Sequence, residues 1–178
     1  MKLSFNTLLK NSLPYGLIMG GIFIVISLLL YIADVNIFSI WFGIVNFLVM
    51  MIAIPAIFTI LGTNNLRLKH AEEKRINYLE ALISCFIILF IGFLLSGIYS
   101  WIFNSFIDPE YMKHNVEKFA EMLQGYNMPQ DKIDEQVANM EKNIGIGRQL
   151  ISSAIVCVVL SLIMALIVRK KEKISDVM

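Results

Sequence analysis

Four long runs without a charged side chain set the pattern of this chain: Asn11–Ala33, Val35–Leu66, Ala81–Ile107 and Gln149–Val168. The third is 27 residues long. As a helix rising 1.5 Å per residue it reaches roughly 40 Å, more than a hydrocarbon core of about 30 Å. The first run exceeds a secretory signal's apolar region, and no small-residue cleavage site follows it, so it is expected to be retained. Pro14 is expected in its first turn. The second run is too long for one straight span. Asp34-Val-Asn36 should turn, a helix should follow, Pro55 should kink it, and Gly62-Thr-Asn-Asn65 should break it. The pattern predicts four transmembrane helices over about 13–33, 38–61, 79–106 and 149–168.

The polar stretch 108–147 has a different period. Met112, Val116, Phe119 and Leu123 recur at helical spacing, and so do Ile133, Val137, Met140 and Ile144. Asp108 is placed to cap the first of these helices, with Pro109 at its first position. Gly125-Tyr-Asn-Met128 should break it and Pro129 restart the chain. The segment is expected to be a two-helix amphipathic hairpin between spans three and four. Each apolar stripe must be buried on the other, on the spans, on lipid or on a partner.

Composition turns this pattern into a membrane protein. The chain is 57% hydrophobic and 16% charged, with a mean hydropathy of +0.71. Soluble domains carry about 25% charged residues. The fold class is therefore all-α integral membrane protein, one membrane domain over residues 1–178, with membrane lipids as surroundings. Basic residues sit in short clusters beside apolar runs, which excludes a nucleic-acid surface. Cys85 and Cys157 lie inside apolar runs and read as small buried hydrophobes.

Charge placement gives sidedness. With both termini cytoplasmic, ten Lys and Arg fall inside, from Lys2 and Lys10 through Arg67–Arg75 to Arg169–Lys173. Five fall outside, all between Lys113 and Arg148, among eight acids. Four spans with both ends inside satisfy this rule. The hairpin is then extracytoplasmic.

Little chemistry is visible. No charged residue occupies the middle of a span, and no HExxH, GxSxG or phosphate-binding glycine loop occurs. No enzyme, cofactor or metal site is expected. Asp108, Glu110 and His114 can in principle bind a cation, but capping and solvation explain them more simply. Asn46 and Asn104 are the polar groups at depth. Glu80 starts the third span, either as an acid facing head groups or as part of a buried polar site.

Two stretches carry a resemblance: Asn104-Ser-Phe-Ile-Asp-Pro-Glu-Tyr111 at the end of the third span, and Ile76-Asn-Tyr-Leu-Glu-Ala81 at its start. With the four-span layout, they make the chain resemble a family of small bacterial membrane proteins common in Bacteroidota, the domain of unknown function DUF4199. Leu79 stands where relatives tend to have glycine. The resemblance implies an inner-membrane protein without an assigned activity or catalytic residues. Two functions remain open. The first is an accessory or scaffold subunit docking on itself or a membrane protein partner through the hairpin, at Phe119 and Val137. The second is a small channel or transporter with Asn46, Asn104 and Glu80 lining a path.

Overall fold

The computed structural model describes residues 3–35, 40–70, 76–143 and 146–169. Asn36, the loop residues 71–75, Ile144, Gly145 and the basic cluster 170–173 lie outside them. Among the described residues, four helices are long and apolar enough to cross a membrane. The first is α1, Phe5–Ile32. The second runs as α2, Ile40–Phe47, through a π-helical segment, Leu48–Ala53, into α3, Ile54–His70. The third is α4, Tyr78–Ile102, ending in a second π-helical segment, Phe103–Ile107. The hairpin helices are α5, Pro109–Gly125, and α6, Gln130–Asn143. The last span is α7, Ile146–Val168. The fold class read from the sequence is the one observed.

Two boundaries differ from expectation. α1 starts at Phe5, because the Ser4 hydroxyl caps it by accepting from the Thr7 amide at 3.2 Å. Pro14 is thus inside the helix, not in its first turn. The second span also runs on through Gly62-Thr-Asn-Asn65 to His70. The polar side chains there find partners without interrupting the backbone ladder. The Thr63 hydroxyl donates back to the Thr59 carbonyl, and the Asn65 amide donates to Asn11 Oδ1 at 2.9 Å. Gly62 is a packing residue: a Cβ there would lie 2.5 Å from Ile88 Cδ1 and 3.2 Å from the Tyr15 ring. Ahead of Pro55, which has no N–H to continue the helical ladder, the chain takes the wider π turn.

α4 is the hub, packed against α1, α3 and α7. Its core includes Ile88 and Leu89 with Met19, Phe23 and Cys157, and, nearer the termini, Ala81 and Cys85 with Met164 and Ala165. Both cysteines are free and buried. Most of the span surface stays apolar and exposed, with Trp41, Ile151 and Ile167 among the examples. Such a surface is satisfied by acyl chains, not by water.

Three helix ends follow directly from residue chemistry. Asp34 and Asn127 take left-handed backbone angles, φ 44° and 56°. At each, the next amide reaches back to a carbonyl five residues earlier: Val35 N–H to Leu30 and Met128 N–H to Leu123. These are Schellman-type stops, and Asn127, not Gly125, supplies the second one. Asp108 Oδ1 accepts from the Tyr111 amide at 2.9 Å, and Pro109 follows it, so the expected cap is in place.

Candidate functional site

The terminal end of the bundle holds a polar cluster. Glu80 is 3% exposed; Oε2 accepts from the Asn77 amide at 3.0 Å and Oε1 from the Leu3 amide at 2.9 Å. The first bond belongs to a capping box at the start of α4, and the second ties the beginning of the chain to it. Glu80 is thus an acid in the first helical turn, as the dipole favours, but it is buried rather than facing head groups. Nearby, Asn11 Nδ2 donates to the Gly62 carbonyl at 2.9 Å and the Ser12 and Ser84 hydroxyls meet at 2.8 Å. These bonds join α1 to α3 and α4. They are structural ties, since their polar groups are turned on one another.

The hairpin end is built differently. Tyr31, at the end of α1, donates its hydroxyl to Asp108 Oδ2 at 3.0 Å. Its ring meets Phe103 edge-on at 4.8 Å and Tyr111 at 5.1 Å, and Phe103 meets Tyr111 at 5.6 Å. Lys118 of α5 donates to Asp34 Oδ1 at 2.8 Å. This bond and the ammonium charge hold the Asp34 carboxyl below its ordinary range. The hairpin is therefore fastened to the end of α1 at two points, one aromatic and one ionic.

Beneath it lies a cleft of about 470 Å³. The hairpin-end part of the second span, α2 and the π segment after it, packs only loosely on α1 and α4. The gap is bordered by Asn46 and Met50 on that span, by Ser27 on α1 and by Asn104 on the third span. Asn115 of α5, which is buried, and Met140 of α6 reach it from the hairpin. Its deep end is the stacked pair Phe23 and Phe93, 5.5 Å between ring centres. Among the described residues no Lys, Arg, His, Asp or Glu lines it. Both π-helical segments contribute to its wall, a location where such turns recur in functional sites.

Asn104 carries an unmet demand. Its Nδ2 donates to the Ser100 carbonyl at 2.8 Å. A carbonyl only accepts, so this bond fixes which way the amide points. Among the described residues, Asn104 Oδ1 is then buried with no donor against it. An orphan acceptor of this kind costs about 1–3 kcal/mol unless a donor reaches it.

The structure thus brings Asn46 and Asn104 to one cleft and leaves Glu80 at the far end of the bundle. Asp108 and Pro109 shape the hairpin's first turn. Asp108, Glu110 and His114 border a separate open pocket, but Asp108 is engaged with Tyr111 and Tyr31. Among the described residues no three His, Cys, Asp or Glu come together in a way that holds a metal. Val116, Leu123 and Ile133 are buried, and Phe119 and Val137 half-buried, with α5 packed on α6. The hairpin's apolar stripes therefore cover one another. Sequence reasoning missed Tyr31, Ser27 and Asn115. Asn115 lies three residues after Met112, beside the apolar stripe, and that position was the available signal.

Fold and cleft together define a polytopic all-helical membrane protein with an uncharged polar cleft between its spans. The chain belongs to the family described as protein of unknown function, DUF4199, whose model matches residues 14–170. No curated protein and no solved structure matches it.

Proposed function

We propose that this protein is a membrane-embedded binding protein for an uncharged amphipathic molecule that carries a hydroxyl or amide donor. The observation behind this reading is the cleft at the hairpin end. Its volume, about 470 Å³, lies within the ordinary range for small-molecule sites. Its wall offers aromatic and methionine surface to an apolar body, and Asn, Ser and Tyr groups to a polar head. A charged head group would find no counter-ion among the described lining residues, and burying it unpaired would be costly. The orphan acceptor on Asn104 favours a head that donates.

A neutral lipid with a free hydroxyl has this chemistry. With the full chain in detergent micelles, a fluorescent diacylglycerol should bind saturably. Asn104→Leu and Asn46→Leu should each weaken binding about tenfold, the scale of one lost hydrogen bond. Ser96→Trp, which fills the cleft, should abolish it. Equal probe uptake by the parent and Ser96→Trp would mean that the micelle, not the cleft, holds the probe.

The sidedness inferred from Lys and Arg places this end away from the cytoplasm. A phosphatase fused at Gly125 should then be active, and a cytosolic reporter at the same site silent; the reverse pattern would invert the topology. Docking through the hairpin stripes has less support, because α5 packs on α6 and Val116, Leu123 and Ile133 are already buried. A continuous channel has less support too, because the cleft ends on Phe23 and Phe93.

A further inference from the structure

Another pocket lies at the other end of the bundle, and it is basic where the cleft is uncharged. Lys10, Asn11, Pro14, Tyr15, Ile18, Asn65 and Lys69 surround a cavity of about 460 Å³. Its place follows from the Asn65–Asn11 hydrogen bond, which pins α3 to α1. Lys10 adjoins Asn11, and Lys69 lies one helical turn beyond Asn65, so the two ammonium groups flank the same opening. Both lysines are exposed, and among the described residues no acid lines the cavity. Ile18 and Pro14 are exposed below them on the lipid-facing side of α1. Pro14 also leaves the Lys10 carbonyl without its usual helical donor.

We infer that this pocket seats the head group of one anionic phospholipid, with the phosphate between Lys10 and Lys69 and an acyl chain along Ile18. Several features select a lipid over a soluble anion. The apolar half of the site lies on a spanning helix, two turns along α1 from its charged rim. A free phosphate uses the lysines alone, whereas a phospholipid uses both halves. The lysine stems cover apolar surface while their heads reach the phosphate. The Lys10 carbonyl, left without its helical donor by Pro14, can accept from a head-group hydroxyl, which makes phosphatidylglycerol the fitting probe. Each lysine near such a charged surface is worth about a fivefold gain in affinity. This site is separate from the cleft and does not depend on how the cleft is read.

The test is native mass spectrometry of the full chain released from micelles holding equal phosphatidylglycerol and phosphatidylcholine. One phosphatidylglycerol should remain bound in preference to phosphatidylcholine. The double variant Lys10→Gln/Lys69→Gln should reduce that preference roughly thirty-fold. Lys113→Gln/Lys132→Gln, the same charge change on the hairpin, should leave it intact. Lys10→Arg/Lys69→Arg should restore it and so separates a lost site from a lost fold. Equal retention in both glutamine variants would overturn the assignment. So would displacement of the lipid by millimolar inorganic phosphate, because the site would then take the anion alone.

Discussion

Gly16→Ala should destabilise the protein by about 1–3 kcal/mol, while Gly21→Ala, five residues on, should be neutral or slightly stabilising. A Cβ at Gly16 would lie 2.8 Å from Ile91 Cβ and 2.9 Å from the Ile88 carbonyl oxygen. Neither atom can rotate away, because one is backbone and the other is fixed to it. α1 and α4 must therefore separate, and their contact is the most extensive in the molecule. Gly20 is nearly as tight, with Leu95 Cβ at 2.9 Å and the Gly92 carbonyl at 3.0 Å. At Gly92 the nearest atom is the end of the Met19 side chain, which can swing, so Gly92→Ala should be milder. At Gly21 nothing lies within 4 Å. Unfolding of the purified protein in graded SDS would rank the variants. Equal midpoints for Gly16→Ala and Gly21→Ala would refute the close α1–α4 approach.

Glu80→Ala should cost roughly 2–4 kcal/mol, the largest effect expected from any one polar side chain here. The carboxylate accepts from two backbone amides, Leu3 and Asn77, that belong to segments 77 and 3 residues away. Removing it strands both donors at a partly buried junction and opens a hole beside Ala81. Glu80→Gln should fall between, because its amide keeps one acceptor and turns a donor toward the other N–H. Hydrogen exchange provides the specific readout: the Leu3 and Asn77 amides should lose protection before the middle of α4 does. Uniform loss along α4 would show a general packing defect instead of a broken tie.

The spans and the hairpin were legible because each rests on a local quantity, either uncharged length or a 3.6-residue period. What escaped the sequence depends on partners far along the chain. Gly62-Thr-Asn-Asn65 has the composition of a break. It stays helical because Asn65 answers Asn11 and Gly62 admits Tyr15 and Ile88. The start of α1 is a local exception: Lys10 looks like a flank until Ser4 is seen to cap the helix through the Thr7 amide. The site was half visible. Asn46 and Asn104 stand out as polar groups at depth, and they do share a cleft. Glu80 looked like a third member because it too is polar near a span, but depth along the bundle separates it from them. Tyr31 was hidden because an aromatic at a span end is ordinary, and only its contacts with Asp108, Phe103 and Tyr111 give it a role.

The second span is the least covered of the four, with 17% of its most apolar window buried. A guest that arrives past this wall has already left water for the hydrocarbon. Two partition steps are then in series, and the protein governs only the latter. Lengthening the guest's tail strengthens the former step and adds almost nothing to the latter. Selectivity must therefore come from the head, and dissociation constants for this cleft have meaning only as mole fractions of the surrounding lipid.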